Sequence, residues 1–217
     1  MAQAIILAGG LGQRLYPLTK DRPKWLLSLG DKTIADYQLE WLKENGISEA
    51  IVTLNKKHAL VAETYPYPEG INANLIYEDE SLGDEGGLKK ALDYIKQDEV
   101  WIVNCDVITN FPLTVNVEAP ALVLVHPKSP WGIYYDNGTF EEKPILKELW
   151  INGGIYKFPK SIKEELVDKG NLALNILPKL IREKRLKLIK FEGQWMGIET
   201  YKDLETYGQA PLFRAGE

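Results

Sequence analysis

Ala4-Ile5-Ile6-Leu7-Ala8-Gly9-Gly10-Leu11-Gly12-Gln13-Arg14-Leu15, followed by Pro17-Leu18-Thr19 and Arg22-Pro23-Lys24, is the stretch from which the fold is read. Ala4 to Ala8 is an apolar run without charge, the pattern of a strand buried in a parallel sheet. It opens into glycines at 9, 10 and 12, with Arg14 and Lys24 beyond. Glycine lets backbone N–H groups approach a phosphate chain where a Cβ would stand in the way. Arg14 and Lys24, both expected in a solvent-facing loop, add the positive charge that bare amides lack. A loop of this kind at the carboxyl end of the first strand lies where open α/β sheets bind ligands. Its candidate nucleotide contacts are Leu7, Ala8, Gly9, Gly10, Gly12 and Arg14. A tight turn is the alternative reading of a glycine pair after a strand.

Two commoner phosphate loops are excluded. The Walker A pattern needs Gly-Lys-Ser/Thr, and Gln13 and Arg14 follow Gly12. The dinucleotide fingerprint needs a third glycine three residues after the second, and position 15 is leucine.

Composition sets outer limits. A chain of 217 residues with 45% hydrophobic and 26% charged residues can bury one α/β domain. We expect a single domain over 1–217, with one half over about 1–110 that holds the glycine loop and a second over about 111–217. The net charge of −5 argues against nucleic acid as a partner. The basic residues Arg14, Lys20, Arg22 and Lys24 instead form a local patch suited to a small anionic ligand. No apolar run approaches the ~20 residues that span a bilayer, so no membrane partner is expected. The amino terminus runs straight into the first strand, and the single cysteine, Cys105, allows no internal disulfide. A cytoplasmic setting follows as the expectation.

Strand-like and helical runs alternate through the first half, as in a parallel sheet wrapped by helices. Strands are expected at Ile5–Ala8, Ala50–Leu54, Ala73–Tyr77 and Val100–Asn104. Helices are expected at Thr33–Asn45, capped by Asp31 or Thr33 and stopped by Gly46, and at 86–97, where Leu88, Ala91, Leu92 and Ile95 share a face. In the second half Ala121–Val125 reads as strand. Asn137-Gly138 marks a hairpin between 132–136 and 139–142. Leu149–Phe158 is a strand with a bulge at Gly153-Gly154. Helices near 161–168 and 175–184, a strand at 186–191 and a helix from Thr200 complete an α/β, Rossmann-like, mostly parallel sheet with an inserted antiparallel portion.

Asp106 follows a buried apolar strand that ends at the same sheet edge as the glycine loop. A carboxylate there can hold Mg²⁺ while phosphates supply further ligands; an Asx turn is the alternative.

Gly-Gly-x-Gly-x-Arg-Leu-x-Pro-Leu-Thr, then Pro23-Lys24, Leu26-Leu27 and Ile34-Ala35-Asp36-Tyr37-Gln38, resembles the sugar-1-phosphate nucleotidyltransferases. The resemblance implies that Arg14, Lys24 and Asp106 are catalytic, that Asp106 holds the metal, and that NTP and sugar-1-phosphate are the partners. It leaves monomer or homo-oligomer open. Many members carry a carboxyl-terminal β-helix, for which this chain ends too soon. In Tyr77–Gly87 the family's base-binding Leu-Gly-Thr-Ala-Gly becomes Leu82-Gly83-Asp84-Glu85-Gly86, and Gly83 is placed to meet the base. Glu78 stands near a glutamine of the uridylyl- and thymidylyltransferases. A carboxylate at Glu78 or Glu80 only accepts, which favours guanine and its adjacent donors. The alternative is an acidic surface loop capping the next helix.

On the sugar side, Gly132, Glu142-Lys143-Pro144 and Asn152-Gly153-Gly154-Ile155-Tyr156 match family motifs. They imply sugar-phosphate contacts from Gly132, Glu142, Lys143 and Asn152. The family's second metal aspartate is Gly197 here, which leaves three alternatives: Glu199 substitutes as ligand, Asp106 suffices with phosphates and water, or catalysis is lost. Nucleotidyl transfer to a sugar-1-phosphate is the implied activity, with GTP and a mannose- or heptose-type sugar favoured. The alternatives are a catalytically silent nucleotide-sugar-binding regulatory subunit and a cytidylyltransferase acting on an alcohol phosphate.

Overall fold

A computed structural model describes residues 2–209. Seven strands form its sheet: β1 Gln3–Ala8, β2 Glu49–Asn55, β3 Asn72–Glu78, β4 Glu99–Asn104, β5 Ala121–Val125, β6 Ile151–Pro159 and β7 Lys187–Lys190. Their spatial order is β7-β5-β6-β4-β1-β2-β3. β3, β2, β1 and β4 run parallel, β6 is antiparallel to both neighbours, and β7 is parallel to β5. The fold is thus α/β with a mostly parallel sheet, as the alternating pattern implies.

Alternation within β1 feeds two apolar layers. Ile6 and Ala8 join Trp25, Leu39 and Leu42 on one face, while Ile5 and Leu7 join Leu88, Leu92 and Ile176 on the other. Full burial of such side chains is worth about 1.5–3 kcal/mol each. Ile34–Glu44 packs on the first face. Thr33, not Asp31, caps it: the Thr33 hydroxyl accepts from Asp36 N at 3.2 Å, and Thr33 N donates to the Asp36 carboxylate at 2.8 Å.

Several boundaries differ from the sequence reading. The helix expected over 86–97 begins at Gly83, ends at Ala91 and tightens into a 3₁₀ turn over Leu92–Tyr94. It starts early because Gly83, at φ 73°, swings the chain into the helix against the backbone of Gly170. It stops early because Ile95 turns extended to bury in the core. The segment near 161–168 is a 3₁₀ turn over Lys160–Glu165, and the next helix is Ile176–Arg182. The hairpin around Asn137-Gly138 forms, as Ile133–Tyr134 against Phe140–Glu141, but as a ribbon outside the main sheet. β6 carries the expected irregularity, a register shift between Asn152 and Tyr156. Val107–Thr109 and Trp195–Gly197 form an antiparallel pair that the sequence reading missed. Among the described residues no helix is long and apolar enough to cross a membrane.

Glu78 ends β3 beneath the glycine loop and is 1% exposed. Its Oε2 accepts from Leu82 N at 3.1 Å, while Oε1 has no hydrogen-bond partner. A Cβ on Gly9 would stand 2.3 Å from that Oε1, so glycine is required for the carboxylate to fit under the loop. Burial raises the Glu78 pKa above the usual carboxylate range. A carboxyl group raised in this way contributes stability at acid pH that is lost as pH rises through its folded value. Glu78→Gln should therefore melt above the parent protein at pH 8, and the gap should close toward pH 4. Thermal melts across that range check this; a gap independent of pH would mean Glu78 ionises as an exposed carboxylate does.

Candidate active site

The carboxyl ends of β1 and β4 lie side by side, since Leu7 pairs with Asn104 and Cys105 N donates to Leu7 O at 3.1 Å. This registry sets the glycine loop beside Asp106. Gly12, at φ 60°, turns the loop into the short Gln13–Leu15 turn, and the Thr19 hydroxyl donates to Gly12 O at 2.8 Å. Two adjoining cavities result. One, about 430 Å³, is lined by Leu11–Leu15, Lys24, Ser81 and Glu199. The other, about 240 Å³, is lined by Leu7, the glycines, Gly83 and Asp84, and Asn104–Asp106. Gly12, Arg14 and Lys24 border both.

Lys24 is not in a solvent-facing loop. Its side chain is 11% exposed, because the Pro23 turn carries Trp25 and Leu26 into the core and draws Lys24 inward. Its Nζ donates to Asp106 Oδ2 at 2.7 Å. Arg14 is exposed as expected and pairs with Glu199. The cleft therefore presents two cations, each already holding an anion.

The other nucleotide candidates separate by position. Leu7, Gly9, Gly10, Gly12 and Gly83 line the cleft. Ala8 is buried, and its N–H is taken by the Thr53 hydroxyl at 3.2 Å. The expected contact between Glu78 and the base is corrected: the carboxylate lies behind Gly9, sealed from the cleft. Glu80 pairs with Lys169 at 2.6 Å on the surface. Asp84 and Glu85 are not a surface loop. Asp84 Oδ1 accepts from Leu172 N at 2.9 Å, and Glu85 accepts from Val167 N at 3.1 Å and Asn175 Nδ2 at 2.6 Å. These two acids tie the first turn of the Gly83–Ala91 helix to the 167–175 segment.

Cys105 acts as packing. Burial, with Asp106 alongside, pushes its thiol up to about 12, which rules out a thiolate nucleophile near neutral pH.

For magnesium, the donor set is one-sided. Asp106 supplies one carboxylate. Gly197 pairs with Val107, next to Asp106, but has no side chain, and its missing Cβ would stand 3.1 Å from the Trp195 ring. Glu199 lies beyond the end of that strand and is held by Arg14, with its N–H on Asp203 at 3.0 Å. No group of three or more His, Cys, Asp or Glu converges among the described residues. The residues fit a magnesium ion that shares one protein carboxylate with a nucleotide's phosphates, not a site closed by protein alone.

Neither cavity includes the sugar-side candidates. Lys143 has φ 50°, and its ammonium lies 3.6 Å from Glu142. It also meets Lys202, whose pKa it lowers. Gly132 leaves room for the Phe140 ring and the Glu142 carboxylate. Asn152 is engaged internally, donating to Tyr156 Oη at 3.0 Å and accepting from Gly154 N at 2.8 Å. Sequence reasoning missed Asn104, whose Oδ1 is buried without a partner at the cleft. The signal was a polar residue closing the apolar run Val100–Val103.

Comparisons with known proteins place the chain in a family. Residues 3–210 match the nucleotidyl transferase family. A mannose-1-phosphate guanyltransferase of Schizosaccharomyces pombe is 30% identical over 94% of this chain and 62% of its own length. The chain thus spans about 62% of the mannose-1-phosphate relatives. A D-glycero-alpha-D-manno-heptose 1-phosphate guanylyltransferase of Campylobacter jejuni is 32% identical over 74% of this chain and 77% of its own. In fold, the chain is similar to HddC from Yersinia pseudotuberculosis complexed with GMP-PN, with a TM-score of 0.74, 24% identity, and coverage of 96% and 99% of the two chains. With the family model matched along almost its whole length, the chain belongs to the nucleotidyl transferase family.

Proposed function

We propose that this protein joins a sugar-1-phosphate to an NTP, giving NDP-sugar and pyrophosphate, with GTP as the nucleotide and a mannose- or heptose-type sugar. The observation that carries the reading is the Lys24–Asp106 pair, 2.7 Å apart at the junction of both cavities and beside Arg14. The guanylyltransferase relatives support GTP over other nucleotides. A half over about 111–217 takes the sugar phosphate, and a reducing cytoplasm is the setting.

An oxygen of the sugar phosphate attacks the α-phosphorus in line. One P–O bond forms as the bond to the leaving pyrophosphate breaks, and no proton is needed on the leaving group. The protein's part is positioning and electrostatics. Glycine loop amides hold the triphosphate. Lys24 and Arg14 meet the charge that grows on the pyrophosphate, as cations fixed in place before reaction. Lys143 meets the sugar phosphate as a point charge, and Glu142 and Asn152 serve the hydroxyls. Asp106 would hold magnesium through the oxygen that Lys24 leaves free, and the ion would neutralise phosphate charge.

A matrix of five NTPs against several sugar-1-phosphates, followed by pyrophosphate release, tests the reading. Binding without turnover across the whole matrix would instead favour the silent regulatory subunit, the reading that Gly197 and Asp84-Glu85 motivate. Lys24→Ala and Arg14→Ala should each lower kcat by about 10²-fold. Near-parental turnover in either would remove that residue from the leaving-group site. Asp106→Asn keeps the shape of the side chain but loses its charge, so magnesium titrations of activity should lose their saturable phase. An unchanged titration would place the ion elsewhere. Gly197→Asp would add a carboxylate beside Asp106, with the Trp195 ring shifting by a few tenths of an ångström. It should lower the magnesium concentration needed for half-maximal rate, and no change would mean the second ligand position is not at 197.

A further inference from the structure

Gln38 lies on the core-facing side of the Ile34–Glu44 helix, in line with Ile34, Ala35, Leu39 and Leu42, and is 1% exposed. A primary amide in an apolar layer is costly unless its donors and acceptor are matched. Here Oε1 accepts from Trp25 Nε1 at 2.9 Å, and Nε2 donates to the carbonyl oxygens of Asn104 at 2.8 Å and Val107 at 2.7 Å. The partners fix the amide's orientation, since an indole N–H only donates and carbonyls only accept. Trp25 directly follows Lys24, and Asn104 and Val107 bracket Cys105-Asp106. One side chain therefore clamps the two segments that bring Lys24 and Asp106 together.

We propose that Gln38 is a positioning residue for nucleotidyl transfer, which sets the separation of Lys24 and Asp106 without touching substrate. The inference rests on the reading of that pair as part of the reacting site. Among the described residues, the only other hydrogen bond that joins the two segments is that between Lys24 and Asp106 themselves, which Gln38 would hold in place. Pro23 and the 3₁₀ turn place Lys24 only relative to its own loop, and β4 places Asp106 only relative to the sheet. The amide joins the two frames. A carboxylate at position 38 would face three groups with only acceptors of its own and lose both bonds to the carbonyls. An apolar side chain of equal volume would fill the space and lose all three.

A double-mutant cycle tests this. Gln38→Met is made in the parent and in Lys24→Ala, and kcat, KM for GTP and melting temperature are measured with the best substrate pair from the matrix. In the parent, Gln38→Met should lower kcat by about tenfold or more, because misplacing a reacting group by about 1 Å costs on the order of 10² in rate. KM for GTP should move far less. In Lys24→Ala the same change should cost under about threefold, although melting temperature falls alike in both. An equal loss of kcat in the two backgrounds would mean the amide serves only the fold, and the proposal is overturned. If Lys24→Ala itself turns over like the parent, the reading of the cleft fails first and this inference falls with it.

Gln38→Glu gives a second reading should the methionine protein fail to fold. Its carboxylate cannot donate, but once protonated it can make one bond to a carbonyl. Its kcat relative to the parent should rise as pH falls, and a ratio flat with pH counts against the positioning role.

Discussion

The register of three parallel strands is the constraint on which the cleft depends. Ala8 stands opposite Leu54 and Leu7 opposite Asn104, so the glycine loop and Asp106 emerge level with each other. Apolar contact has no direction and cannot set such a register alone. Buried polar groups at the other end of the strands can. Gln3 is 1% exposed, and it donates from Nε2 to Glu49 Oε2 at 2.7 Å and accepts from Lys96 N at 2.7 Å. Its own N–H reaches Gln97 Oε1 at 3.0 Å. A slip of one residue would break these directional bonds together and would exchange Ile5 and Ile6 between the two apolar layers.

The same device recurs higher in the structure. Gln38 links a helix to the loop before it and to the turn after β4, and Asp84 and Glu85 link the first turn of the Gly83–Ala91 helix to the 167–175 segment. Each is a buried or half-buried polar side chain whose partners are mostly backbone groups. Such bonds pay little net stability in themselves but a heavy cost when broken, which makes them good at enforcing one arrangement. The apolar layers supply the drive to fold, and the amides and carboxylates choose the geometry.

This division explains what the sequence disclosed. β1 to β4 and the glycine loop were legible because a charge-free apolar run and a glycine cluster have few other readings. Residues with two plausible environments were not legible. In the sequence Glu78 reads as a base contact or a surface acid because a carboxylate beside a ligand loop is normally exposed, and nothing local signals that Gly9 and Gly87 leave a pocket for it. Asp84 and Glu85 looked like surface charge because their partners lie more than eighty residues away. The pairing of Val107–Thr109 with Trp195–Gly197 failed for the same reason: three-residue strands carry almost no periodicity. Lys24 was placed in solvent because its burial follows from Trp25, its neighbour, and not from itself.

The ion pairs of the cleft bear on how long a ligand would stay. Arg14 rests on Glu199 and Lys24 on Asp106, so each of these cations already has a counter-charge from the protein. A triphosphate bound as proposed exchanges one set of counter-charges for another and gains only the difference. In the proposed cycle the two carboxylates would reclaim their cations as pyrophosphate departs, so release would leave no naked charge behind. Affinity would be held down at both ends of that cycle. A cleft wired in this way would favour throughput over retention.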